Sequence, residues 1–151
     1  YIMGCDVDEV YSAGTCMIDP QIGACGDADI AIVTMKMKNG ALVVIENARA
    51  TAYGYDQRAE LLCSKGMMQV ENDRPNSVRI STEEGMTATA PIGFFLERFM
   101  NAYTAELQSF VTAIETGTDV VVGVEDGYQD QLVALAATES WKTGRAVKVK
   151  G

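Results

Sequence analysis

No histidine occurs among the 151 residues. The commonest general base and the commonest zinc ligand are therefore both missing. Ser–His and Cys–His catalytic pairs are excluded within this chain. Cysteine is scarce, with Cys5, Cys16, Cys25 and Cys63 all far apart. No CxxC pair arises, so neither a zinc nor an iron–sulfur site is expected, and no metal. Scattered, buried, free thiols in a cytoplasmic protein are expected in preference to disulfides. No apolar stretch approaches the ~20 residues of a membrane span. No basic segment followed by an apolar one stands at the start, so no signal peptide is visible.

Basic residues are the minority: 12 Lys and Arg against 21 Asp and Glu, a net charge of −9. Such a surface repels phosphate backbones and anionic lipid, which argues against nucleic-acid and membrane partners. Phosphate-cradling and nucleophile-elbow patterns (GxGxxG, GxxxxGK[ST], GxSxG) are absent. The acidic residues have ordinary readings. Glu83-Glu84 is a solvated turn pair, Asp6 and Asp8 are strand-edge charges, and Asp27 and Asp29 alternate at a strand entry, too sparse for a calcium loop.

What is present is a globular composition, 48% apolar, in a length that suits one domain, residues 1–151. Strands are expected over Val7–Ile18, Asp29–Lys38, Ala41–Ala50, Asp56–Cys63, Met67–Glu71, Ser77–Thr82 and Met86–Ala90. Gln21–Asp27 reads as a loop after Asp19-Pro20. Asn39-Gly40 is a strong hairpin signal because both residues tolerate positive φ. The period then changes. Met100, Tyr103, Leu107, Phe110 or Val111, and Ile114 recur at helical spacing, and Gly117 ends that helix. A second helix spans about Glu125 to Thr143, with Tyr128, Leu132, Leu135 and Ala136 as its inner stripe and Gly144 beyond its end. Glu125 and Asp126 suit its dipole, and Trp141 reads as helix-to-sheet packing. Ala146–Val149 closes as a short strand.

The fold class is therefore α+β: an open, predominantly antiparallel sheet of six strands or so, with two long helices on one face. In the central hairpin both faces carry large apolar residues. A two-residue Asn39-Gly40 loop sets Ile30, Ile32, Val43 and Ile45 on one face against Val33, Met35, Leu42 and Val44 on the other. Two helices cover only one face, so the second needs a partner.

One segment stands apart: Tyr53-Gly54-Tyr55-Asp56-Gln57-Arg58 at a strand entry. It reads either as a bulged turn with aromatic shielding or as a polar wall for a hydroxylated ligand. Tyrosine hydroxyls donate and accept, and their rings lie against the C–H face of a sugar. The order of pieces along the chain is more specific. Gly26-Asp27-Ala28-Asp29 and Lys38-Asn39-Gly40 are followed by Glu46-Asn47-Ala48-Arg49 and Tyr53 to Arg58. Ser64-Lys65-Gly66-Met67, Phe94 to Phe99 and Ala102 to Leu107 come next, then Glu125-Asp126-Gly127 and Thr143-Gly144-Arg145. This succession resembles the C-terminal domain of the Gfo/Idh/MocA oxidoreductases, in their inositol 2-dehydrogenase branch.

The resemblance implies a two-domain enzyme. An N-terminal Rossmann domain would bind NAD or NADP and supply a lysine, and an aspartate and a histidine would stand on the helix leading into the C-terminal domain. Tyr1-Ile2-Met3-Gly4 is similar to the tail of that helix, so the chain is expected to be a piece of a longer protein, carrying no catalytic residue and binding no cofactor by itself. Tyr53, Tyr55 and Tyr103 match tyrosines that line the polyol site in such relatives. Tyr103 also belongs to the Met100–Leu107 core stripe, and the two roles are compatible if only its hydroxyl reaches the cleft. Asp56, Gln57 and Arg58 are expected to fix the strand edge. The expected role is thus the substrate-binding and oligomerisation half of a polyol or sugar dehydrogenase, pairing with its own copy through the open sheet face. The alternatives are a non-catalytic binding or assembly module on the same sheet, or a relative with other chemistry.

Overall fold

The computed structural model describes residues Tyr1 to Lys150. In chain order its elements are β1 (Val7–Thr15), α1 (Pro20–Ala24), β2 (Ile30–Met37), β3 (Leu42–Ala48), β4 (Ala59–Cys63), β5 (Gly66–Val70), β6 (Arg79–Thr82), β7 (Gly85–Ala88), α2 (Phe95–Arg98), α3 (Met100–Thr116), α4 (Val124–Thr143) and β8 (Val147–Lys148). They divide into two compact units, one from Tyr1–Ala50 with the segment from Val120 onward, the other Thr51–Asp119. The α+β class and the antiparallel pairing are as expected.

In the first unit a four-stranded sheet has the order β3-β2-β1-β8. The β2–β3 turn differs from the two-residue loop expected from Asn39-Gly40. Gly40 has φ 88°, while among the described residues none other than glycine has positive φ. The Gly40 N–H donates to Met37 O at 2.9 Å and the Met37 N–H to Ala41 O at 2.9 Å. This is the three-residue connection, a turn closed by a left-handed glycine bulge. The extra residue moves the register by one. Met35 pairs with Val43 and Val33 with Ile45, and a one-residue slip exchanges the faces of a whole strand. The face grouping inferred from the two-residue loop is therefore corrected. Val33, Met35, Val43 and Ile45 share one side, and Ile32, Thr34, Leu42 and Val44 share the other.

Helix α4 covers the first of these sides. Val10, Met35 and Ala136 form the core, with Val7, Val33, Val43, Val133, Ala137, Val147 and Val149 against them. The helix is docked by polar contacts as well. Ser140 Oγ accepts the Ser12 N–H at 2.9 Å and donates to Arg145 O at 2.6 Å. Trp141 Nε1 donates to Gly14 O at 3.0 Å, the packing role expected of it. The inner stripe runs through Val133, Ala136, Ala137 and Ser140; Tyr128 and Leu135, placed on it from the sequence, are exposed. Small residues let the helix lie close to the strands, which is why the larger ones face away.

Asp19-Pro20 opens a short helix where a loop was expected. Asp19 caps α1 by accepting the Gln21 N–H at 2.9 Å, and Pro20 takes the first helical position. Asp29 is only 2% exposed and is no mere strand-entry charge. Its carboxylate accepts the N–H groups of Met17 (2.9 Å), Ile18 (2.7 Å) and Asp19 (2.8 Å). Desolvation pushes its pKa up, but the three backbone donors and the Cys16 thiol overcome this and hold it at about 2. All four cysteines are free as expected, but Cys25 and Cys63 are exposed, not buried.

The second unit holds two separate hairpins, β4–β5 and β6–β7, with α2 and α3. The long helices thus belong to different units, and the expected six-strand sheet is a four-stranded sheet plus two hairpins. Phe99 interrupts what the sequence presents as one helix, ending α2 and starting α3 with φ −111° and ψ 11°. Within α3 only Ala113 is buried. Met100, Leu107, Phe110 and Ile114, expected as core, are exposed. The described chain exposes 11739 Å² in all. Large apolar side chains are exposed in both units, among them Ile32, Leu42 and Val44 in the first and Met100, Leu107, Phe110 and Ile114 in the second.

Candidate functional site

The Tyr53–Arg58 segment is the loop Thr51–Arg58 that leads into β4. Gly54 has φ 127°, and a Cβ there would stand 2.9 Å from Pro91 O. Only glycine allows this close approach, and it places the two tyrosines on either side of the bend with different surroundings.

Tyr53 joins a polar network. Its hydroxyl donates to Asp56 Oδ2. Arg58 grips the same carboxylate at both oxygens, Nε to Oδ1 at 2.8 Å and Nη2 to Oδ2 at 3.0 Å. Asn72 Nδ2 adds a third donor at 2.7 Å, and Asn72 Oδ1 accepts the Gln57 N–H at 2.8 Å. The Arg58 guanidinium, then the Tyr53 hydroxyl and Asn72, hold the Asp56 carboxyl far below the usual carboxylate range. The hydrogen bond to Asp56, then desolvation and the negative charge of that carboxylate, in turn raise the pKa of the Tyr53 phenol. Asp56 thus stays ionised to unusually low pH and braces the strand edge, the role expected of it. This network lines an open recess of about 460 Å³ together with Glu71, Arg74 and Pro91.

Tyr55 turns to an aromatic cluster instead. Its ring centroid lies 5.8 Å from that of Phe99, edge to face, and 6.4 Å from that of Phe95. Tyr103, one turn into α3, meets the same Phe99 edge to face at 6.5 Å. Phe99 therefore brings Tyr55 and Tyr103 together, while Tyr53 stands with the polar recess. The hydroxyls differ accordingly. That of Tyr53 is engaged by Asp56, whereas those of Tyr55 and Tyr103 have no hydrogen-bond partner among the described residues. Tyr103 is 38% exposed, so the core reading of its stripe does not hold.

Asn72, Arg74 and Phe99 were missed as site residues. Asn72 was within reach of the sequence: the β4–β5 register pairs Ala59 with Val70, and two steps outward it sets Gln57 opposite Asn72. Arg74 lies in an irregular loop with no such register. Among the described residues no group of three His, Cys, Asp or Glu could hold a metal ion. No helix among them is long and apolar enough to cross a membrane.

The fold and this tyrosine-rich loop belong to a known class. Residues 1–149 match the family model for the oxidoreductase family, C-terminal alpha/beta domain. The chain belongs to the Gfo/Idh/MocA oxidoreductases, as their C-terminal domain. It is 40% identical over 150 residues to the myo-inositol 2-dehydrogenase of Thermotoga maritima, covering 99% of this chain and 45% of that protein. A probable dehydrogenase from the same organism superimposes with a TM-score of 0.95 at 40% identity, over 99% of this chain and 45% of that one. The scyllo-inositol dehydrogenase of Lactobacillus casei, solved with NAD(H) and scyllo-inositol, gives a TM-score of 0.87 at 28% identity, over 97% of this chain and 43% of that one. The chain thus spans less than half the length of these relatives.

Proposed function

We propose that this chain is the substrate-binding and oligomerisation domain of an NAD(P)-dependent polyol or sugar dehydrogenase of the inositol 2-dehydrogenase type. The carrying observation is 40% identity to a myo-inositol 2-dehydrogenase along 99% of the chain. In the whole enzyme a secondary alcohol carbon gives hydride to the nicotinamide held by an N-terminal Rossmann domain. The proton leaves through residues of that domain and of the helix that joins it to this one.

This chain would orient the ring. The hydroxyls of Tyr55 and Tyr103, which have no partner among the described residues, support their use as donors and acceptors for polyol hydroxyls. Tyr53, whose hydroxyl is tied to Asp56, would offer its ring face and close the side of the site. The uncovered sheet face of Tyr11, Ile32, Leu42 and Val44 supports pairing with a second copy. A standard interface buries ~800 Å² per partner. A purely structural assembly module would not need two such tyrosine hydroxyls beside one phenylalanine.

The test is steady-state reduction of NAD and of NADP by the whole protein against a panel of inositols and hexoses. Turnover with an inositol supports the reading. A protein that binds no nicotinamide and oxidises no polyol rejects it in favour of an assembly module.

A further inference from the structure

Arg98 is unusual among the basic residues of this chain. Its side chain is only 13% exposed, and its Nε–H is buried with no hydrogen-bond partner among the described residues. A guanidinium held this way has given up hydration without full repayment. A solubility charge would point outward. The arrangement around it closes on itself. Arg98 Nη1 donates to Asp73 Oδ2, and its Cζ lies 5.3 Å from the Phe99 ring centroid. Phe99 holds the edges of both Tyr55 and Tyr103. From the other side, Asp73 O accepts the Ile92 N–H at 3.0 Å, and Ile92 O accepts the Tyr55 N–H at 3.0 Å. Asp73 thus reaches Tyr55 by two routes: through Ile92 to its backbone, and through Arg98 and Phe99 to its ring.

We infer that the Arg98–Asp73 ion pair is a positioning device, fixing the rings of Tyr55 and Tyr103 through Phe99. Phe99 sits at the break between α2 and α3; its N–H donates to Phe95 O and its carbonyl accepts the Tyr103 N–H, both at 2.9 Å, which fixes its backbone and leaves its ring orientation to side-chain contacts. The cation over its face supplies one, and the aspartate keeps the cation there. Arg98 touches neither tyrosine and is no catalytic residue. Its effect on substrate rests on the reading that these two tyrosines line the polyol site.

The experiment uses the whole protein labelled with 3-fluorotyrosine, with fluorine resonances assigned by Tyr55→Phe and Tyr103→Phe. Arg98→Met keeps the apolar stem and removes the charge; Asp73→Asn keeps Arg98 and weakens its anchor. Both should move the Tyr55 and Tyr103 resonances and leave those of Tyr11 and Tyr128 in place, and Arg98→Lys should partly restore them. The KM for inositol should rise about three- to tenfold with kcat changed by less than about twofold. Unmoved Tyr55 and Tyr103 resonances in both variants overturn the inference, as does an equal shift of every tyrosine in both. Selective shifts with an unchanged KM, in these variants and in Tyr55→Phe, uphold the positioning and remove the tyrosines from the substrate site.

Discussion

Met35 stands opposite Val43 across the β2–β3 hairpin, on the side that α4 covers. One residue further along β3, Val44 pairs with Thr34 and is exposed. This one-residue relationship decides which apolar face is core and which is free to meet another molecule. Val43→Asp should destabilise the first unit, since Val43 is half-buried against the core and a charge pressed into apolar packing without a partner is costly. Val44→Asp should leave the fold intact and abolish the proposed self-association. Circular dichroism and sedimentation equilibrium at micromolar concentration read the two effects. An oligomer that survives Val44→Asp places the self-contact elsewhere.

Acid should weaken the protein in a defined window. Asp29, with its pKa near 2, and Asp56, lower still, bind fewer protons folded than unfolded. Each contribution is complete above the ordinary carboxylate pKa near 4 and shrinks as pH falls, that of Asp29 being spent near pH 2 and that of Asp56 only below it. The thermal midpoint should therefore fall steadily between about pH 4 and 2. Asp29→Asn should be less stable at neutral pH and show a shallower fall. An equally steep fall in that variant removes Asp29 from the account.

Gly54→Ala should be costly despite adding one methyl group. The backbone φ of 127° and the 2.9 Å approach to Pro91 O both oppose it. A loss of about 1–3 kcal/mol is expected, read by denaturant melting. A neutral result means that the Thr51–Arg58 loop relaxes freely, so its bend does not fix the tyrosines.

In the whole protein, Tyr55→Phe and Tyr103→Phe should each lower kcat/KM about two- to tenfold with the thermal midpoint unchanged. Neither hydroxyl has a partner among the described residues, so folding loses nothing. Tyr53→Phe is different. It strips one donor from Asp56, so it should lower stability as well as activity. Unchanged kinetics in the first two variants mark those tyrosines as shielding.

Strand positions, both long helices and the glycines that end them were legible because periodicity and turn chemistry are local. The hairpin register was not. Asn39-Gly40 suits a two-residue turn and also a three-residue bulged one, and only pairing along the whole of β2 and β3 selects between them. The inner face of α4 was misread for a related reason. Leu135 and Tyr128 are larger than Ala136 and Ser140, but close docking on β1 favours the small residues. Asp29 carried no signal, since its three donors are backbone groups of Met17, Ile18 and Asp19. At the candidate site the three tyrosines were found from their order among other motifs. Their different surroundings were not, because Phe99 and Asp56 assort them only in three dimensions.

The central claim is that this domain presents a polyol to a nicotinamide held by the rest of the protein. It is tested most directly by following the transferred hydrogen. The whole protein is given NAD and inositol bearing deuterium on its carbinol carbons, and the reduced nicotinamide is analysed by mass spectrometry. The account predicts one deuterium per reduced nicotinamide, with the yield lowered by Tyr55→Phe and Tyr103→Phe and no reduction by the 151-residue chain alone. Reduced nicotinamide without deuterium, or turnover by the isolated chain, would contradict it.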